Sequence, residues 1–161
     1  MDAARFHFLF RSDAGEIDRA TWMRYAGALA GIGVALTLPW LWLRGHIVHD
    51  LAKDKFFDPL IFVAYAYALT YAFALILLGV SYTNLTAKRF RALGWRNPLG
   101  LASLVPLIAF LSGALRLAPI LSPAGADIVP IWAIWGSEAI FAVAAGWTIW
   151  ELGIGDKAAT E

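Results

Sequence analysis

Residues 83–98, TNLTAKRFRALGWRNP, lie between two long apolar runs and decide how the rest of the chain is arranged. This stretch carries Lys88, Arg89, Arg91 and Arg96 and contains no acidic residue. Several cations in a short connection between apolar segments keep that connection on the cytoplasmic side of a membrane. The stretch therefore indicates a membrane protein and predicts that this connection lies on the cytoplasmic side.

The composition points to the same class of protein. Of the 161 residues, 60% are hydrophobic and 16% are charged, and the mean hydropathy is +0.65, outside the range of soluble globular domains. Several windows of about twenty residues hold at most one charge, which is typical of membrane spans. The absence of Cys excludes a disulfide framework, a thiolate zinc site and a cysteine nucleophile.

We predict an all-α, polytopic membrane protein in which residues 1–161 form one integral membrane domain, a four-helix bundle. The four spans are expected at about residues 22–43, 59–82, 99–121 and 128–150. Residues 1–20 are too polar to span a membrane. Aromatic residues between Arg5 and Arg11 predict a short amphipathic N-terminal segment that lies among the lipid headgroups.

The cations are divided unequally between the two sides of the predicted membrane. Nine lie in the N-terminal segment, the 83–98 connection and the tail, namely Arg5, Arg11, Arg19, Arg24, Lys88, Arg89, Arg91, Arg96 and Lys157. Four lie on the opposite side, namely Arg44, Lys53, Lys55 and Arg116. Because cytoplasmic loops carry the excess of Lys and Arg, both termini and the 83–98 connection are predicted to be cytoplasmic.

Small residues form two predicted packing faces. Gly27 and Gly31 make a GxxxG pattern in the first span, and Ala64, Ala68 and Ala72 recur every four residues in the second. Such faces let another helix approach closely, so we expect helix packing at both.

Two ionisable residues lie at membrane depth. Glu138 is expected about 15 Å inside the fourth span, and Arg116 about 8 Å inside the third, both counted from the outer side. We predict that Arg116 reaches Glu138 and ties the two spans together. The alternatives are that Arg116 extends outward to the interface while Glu138 is protonated, that Glu138 binds a proton or cation in transit, or that it is a site for a partner's helix.

The outer loop holds candidate metal ligands at His46, His49 and Asp50. A solvated loop with mixed charges is the alternative that we favour, because Lys53 and Lys55 would repel a cation. We therefore assign neither a metal nor another cofactor.

Signatures of known membrane enzymes are missing from the sequence, including HExxH, GxSxG and a Walker A loop. We predict no catalytic residue. Topology and anionic headgroups explain the basic stretch better than nucleic-acid binding.

Two motifs resemble those of the domain of unknown function 805 family, small integral proteins of the bacterial inner membrane. Gly15–Trp22, GEIDRATW, is similar to the family's Gly-Arg-Ile-x-Arg…Trp motif before the first span, with Glu16 in place of Arg. Lys88–Gly94, KRFRALG, is similar to its Arg-Arg-Leu-His-Asp-x-Gly motif after the second span, with Arg91-Ala92 in place of His-Asp.

The resemblance implies location and architecture, and it implies no activity. Both motifs lie on the predicted cytoplasmic face, so Arg19, Lys88, Arg89 and Arg91 are candidates for contact with a lipid headgroup or a partner. The alternative is that these cations only enforce topology.

The expected function is that of a non-enzymatic inner-membrane protein that packs against other membrane proteins or against itself. One alternative is a small transporter or channel that uses Glu138. Another is a metal-dependent membrane enzyme at the outer loop.

Overall fold

The computed structural model describes residues 2–47, 58–121 and 129–155, with the side chains of 119–121 left out. All regular structure in these ranges is helical, which confirms the predicted all-α class. The elements are α1 (Ala3–Phe6) with a π-helical turn (His7–Arg11), α2 (Arg19–Leu43) with a 3-10 turn (Arg44–His46), α3 (Pro59–Ala92), α4 (Pro98–Leu121), and α5 (Ile131–Ile149) with a π-helical turn (Trp150–Ile154).

The chain divides into two compact units. The first consists of Met1–Gly27 with Gly79–Glu161, and the second of Ala28–Leu78. The boundaries fall within α2 and within α3. A single domain over residues 1–161 stays a prediction.

Among the described residues, three helical segments are long and apolar enough to cross a membrane, judged by length and composition. They are Arg19–His46, Pro59–Ala92 and Pro98–Ala118. The predicted fourth span coincides with α5, a 19-residue helix that contains three tryptophans and Glu138 and is not among these three.

The predicted loop over residues 83–98 was wrong over most of its length, because α3 continues to Ala92. Residues 83–92 contain neither Gly nor Pro, and the cations in this last part interact favourably with the negative end of the helix dipole. With 34 residues, α3 is about 51 Å long. This exceeds the roughly 30 Å of a bilayer's apolar core.

Gly94 ends α3 in a Schellman motif. Its φ of +74° is left-handed, its N–H donates to the Arg91 carbonyl at 2.9 Å, and the Trp95 N–H donates to the Phe90 carbonyl at 3.1 Å. The Phe90 and Trp95 rings meet edge to face at 6.0 Å, which supplies the motif's apolar contact. The connection to α4 is therefore only residues 93–97.

Side-chain caps mark the starts of α2, α3 and α4. The Leu60 N–H donates to Asp58 Oδ1 at 2.8 Å, and Pro59 is the first residue of α3, where the second span is predicted to begin. Asn97 caps α4 in the same way. Asp18 caps α2, and hydrogen bonding from Thr21, chiefly from its side chain, lowers the pKa of the Asp18 carboxyl from its ordinary value.

The core of the first unit lies where the N-terminal segment, the start of α2, the end of α3 and the turn after α5 meet. Its buried apolar residues are Leu9, Phe10, Ile17, Trp22, Leu85, Ala87, Phe90, Ala102 and Leu152. The N-terminal segment was predicted to lie among headgroups. In the structure Leu9 and Phe10 pack into this core, and only Phe6 and Phe8 leave large exposed rings.

The second unit is held by contacts between its parts of α2 and α3. Leu43, Ile47 and Ala64 are buried together. The Tyr67 hydroxyl donates to the Leu36 carbonyl at 2.7 Å, and the Tyr71 and Thr37 hydroxyls are 2.9 Å apart. Both contacts satisfy a tyrosine hydroxyl within the protein.

Replacing Gly94 with Ala should destabilise the protein by about 1 kcal/mol, because a Cβ is disfavoured at this left-handed φ. Thermal unfolding in detergent, followed by circular dichroism, measures the loss. Gly33→Ala is the control, since a Cβ there meets no atom within 4 Å and the residue is helical. Equal unfolding temperatures for the two variants would contradict the Schellman assignment.

Candidate functional site

Lys88, in the basic motif at the end of α3, points into the interior of the protein. Lys88 has no exposed surface. The acceptors of its Nζ are the backbone carbonyls of Leu9 at 3.4 Å, Asn84 at 3.5 Å and Ser12. The Phe8 ring lies 4.9 Å from the same nitrogen. We call these three carbonyls and the ring the Lys88 cage.

Two neighbours of Lys88 on the same helix face extend this contact. Asn84 Nδ2 donates to the Phe10 carbonyl at 2.8 Å. Arg91 Nη1 donates to the Gly15 carbonyl at 2.9 Å and to that of Asp13. Residues 84, 88 and 91 stand at i, i+4 and i+7, so they line one side of α3. Together they hold the backbone of residues 9–15.

Gly15 lets the N-terminal segment turn back toward α2. Its φ is +91°, and a Cβ at this position would lie 2.7 Å from the Phe8 ring. Beyond the turn, Ile17 and Trp22 are buried, and Trp22 Nε1 donates to Thr86 Oγ1 at 3.2 Å. Three residues of the Gly15–Trp22 motif therefore serve this packing.

The C-terminal turn docks at the same end. Arg89 Nε donates to the Leu152 carbonyl at 3.4 Å, and the Phe90 ring stacks on Trp147 at 5.8 Å. Gly153 packs against Trp22, since a Cβ on Gly153 would lie 3.3 Å from that ring.

The four residues predicted to contact a lipid headgroup or a partner differ in their burial. Lys88 offers no surface to a headgroup, whereas Arg89 and Arg91 bind backbone carbonyls and stay partly exposed, and Arg19 is partly buried at the start of α2. Asn84 was not among the predicted site residues. Extending the helical period past residue 82 would have placed Asn84 on one face with Lys88 and Arg91.

Other cations at this end are exposed. They are Arg5, Arg11, Arg24 and Arg96, and within the described residues none of them makes an ion pair. Arg24 lies over the Tyr25 ring at 5.8 Å.

A second polar site joins α4 to α5. Arg116 Nε donates to Glu138 Oε1 at 2.6 Å, and Nη2 contacts the same oxygen. The Arg116 side chain is 52% exposed and that of Glu138 is 28% exposed, so the pair lies at the protein surface. Ser137 donates to Ser112 Oγ at 3.1 Å, and both serines are buried. The predicted contact between Arg116 and Glu138 is present, and its functional role stays a prediction.

The predicted packing faces are only partly occupied. Ala64 is buried and Ala68 packs against it, whereas Ala72 is exposed. A Cβ on Gly27 or Gly31 would meet no atom within 4 Å, so neither glycine is covered by the described chain.

Of the three candidate metal ligands, only His46 lies within the described residues. His49 and Asp50 lie outside the described residues, and the His46 ring packs 5.7 Å from Trp42. Within the described ranges, no group of three or more His, Asp or Glu side chains is placed to hold a metal ion.

Comparison with protein-family models, with curated proteins and with solved structures finds no match to this chain. The resemblance to the domain of unknown function 805 family therefore stays a prediction. The contacts of both sites hold helices and backbone segments together, and the described part of the chain pairs no serine with a histidine.

Replacing Lys88 with Met should destabilise the protein by about 3 kcal/mol, because the cage carbonyls lose a charged donor and stay buried. The N-terminal segment should also detach. Trypsin cleavage after Arg11 measures detachment, and thermal unfolding measures the destabilisation. Arg96→Met removes an exposed cation and is the control. Unchanged cleavage after Lys88→Met would mean that the cage does not hold the segment.

Arg116→Gln and Glu138→Gln should not have additive effects on stability. Either substitution breaks the same contact, so the double variant should lose about 1 kcal/mol less than the sum of the single losses. Unfolding of all four proteins in detergent measures this coupling. Additive losses would show that the contact contributes no energy.

Proposed function

We propose that this chain is a non-enzymatic, multi-pass protein of the bacterial inner membrane that acts by packing its spans against other membrane helices. One observation carries the proposal. Only 6%, 6% and 11% of the residues in the most apolar windows of the three candidate spans are buried within the chain. Such spans require lipid or further helices around them.

The same proposal includes α5 as a fourth span. It packs along α4 and is joined to that helix by the Ser137–Ser112 hydrogen bond and the Arg116–Glu138 pair. With its 19 residues and the five-residue turn after it, this segment is about 36 Å long, enough to cross the apolar core.

An even number of spans agrees with the contacts inside the first unit. The N-terminal segment, the end of α3 and the turn after α5 meet in one core. We infer that this end is cytoplasmic, since it carries the larger share of cations.

Burial of Lys88 changes which residues we propose for lipid contact. The exposed side chains at this end are Arg5, Arg11, Arg24 and Arg96, together with the exposed rings of Phe6 and Phe8. Cations and aromatic rings at one level suit an anionic headgroup layer. Membership of the domain of unknown function 805 family remains part of the proposal.

The transporter and the metal-dependent enzyme stay predictions without a specific contact that favours them. A transport role would require Glu138 to leave Arg116 during each cycle.

Extraction of the chain from its native membrane into polymer-bounded lipid discs, followed by native mass measurement, tests the proposal. We expect a stoichiometric complex heavier than the single 17.6 kDa chain. A chain that is monomeric in both native discs and mild detergent would overturn the packing role.

A further inference from the structure

A surface made of small residues runs from the Arg116–Glu138 pair along both helices that carry it. On α4 it consists of Ala109, Gly113 and Arg116, and on α5 of Glu138, Ala142 and Ala145. Each set has the spacing i, i+4, i+7, so each lies on one face of its helix. We call these six residues the α4–α5 face.

The small residues of this face leave room for another helix. Ala109, Gly113 and Ala142 are exposed, and a Cβ on Gly113 would meet no atom within 4 Å. Small side chains allow close helix approach in membranes, where close packing and polar contacts provide most of the attraction between helices.

The ion pair is accessible from outside the chain. Arg116 Nε and Nη2 both contact Glu138 Oε1, and the Arg116 side chain is 52% exposed. Glu138 lies seven residues after the start of α5, about 10 Å along the helix. Charged groups at such depth are expensive unless protein or water surrounds them.

We propose that a second copy of this chain covers the α4–α5 face in a two-fold symmetric dimer. This inference rests on the proposed packing function and names the partner. In a two-fold interface, residue i contacts j and residue j contacts i. Arg116 Nη1 of each copy then binds Glu138 Oε2 of the other, which joins two arginines and two carboxylates in one ring.

Membrane insertion favours this arrangement. Two copies inserted in the same direction place Arg116 and the other copy's Glu138 at the same depth. A helix of a different protein would need its own acid and base at that level, whereas a second copy has both by construction. A lipid headgroup offers charges but leaves the small residues deeper in the apolar region uncovered.

The chain contains no Cys, so introduced cysteines report only the intended contacts. The test mixes two differently tagged full-length chains in liposomes, one with Gly113→Cys and the other with Ala142→Cys. These positions lie about 4.5 Å and about 6 Å below Arg116 and Glu138 along their helices. We expect the heterodimer disulfide to be the main oxidation product.

Leu111→Cys mixed with Val143→Cys is the matched control. Both positions are exposed, at 57% and 72%, and lie at similar depth on other faces of α4 and α5. We expect little cross-linking from this pair. Equal cross-linking from both pairs would indicate random collision and overturn the dimer.

The charges give a second readout. Glu138→Gln in both chains should weaken dimerisation roughly tenfold, the effect of one polar contact between membrane helices. Arg116→Glu on the Gly113→Cys chain, mixed with Glu138→Arg on the Ala142→Cys chain, should still cross-link, because opposite charges then meet across the interface. Loss of cross-linking in this mixture, with both variants folded by circular dichroism, would overturn the ion-pair ring.

The outcomes separate this inference from the proposed function. A large native complex without the Gly113–Ala142 cross-link would overturn the two-fold dimer and leave the packing role standing. A monomer in native discs without any cross-link would overturn both.

Discussion

The packing of the N-terminal segment against the end of α3 depends on the buried ammonium group of Lys88. A charge without exposed surface is stable only when dipoles replace its water, and the carbonyls of Leu9, Ser12 and Asn84 do so here. Two of these carbonyls belong to the N-terminal segment. Together with Asn84 and Arg91, which bind the carbonyls of Phe10, Asp13 and Gly15, Lys88 holds that segment in place, with Leu9 and Phe10 buried.

This end of the chain contrasts with the spans. The end of α3 is held by the hydrogen bonds of Asn84 and Arg91 and by the contacts of the Phe90 ring with Trp95 and Trp147. The candidate spans bury few of their own residues. The apolar surface of these candidate spans is therefore mostly uncovered by the chain itself.

Several local features could be predicted because they depend only on neighbouring residues. Asp58-Pro59 and Asn97-Pro98 begin helices by capping and by the fixed φ of proline. The contact between Arg116 and Glu138 could be predicted from the helical rise and from their similar depth in two consecutive predicted spans. The end of α3 was misplaced, because the basic residues were taken as a loop although Gly94 is the first residue that terminates the helix.

The sequence by itself determined the helical class, the apolar segments and the imbalance of cations, since hydropathy and charge are properties of each segment alone. Only the tertiary structure decided what the cations do. Lys88 meets Leu9 and Ser12, more than seventy positions away, after the chain turns at Gly15. A spacing pattern shows which residues are neighbours on one helix, but it does not show which distant segment packs against that helix. For this reason Lys88 was predicted to contact a headgroup or a partner, whereas in the structure it is buried.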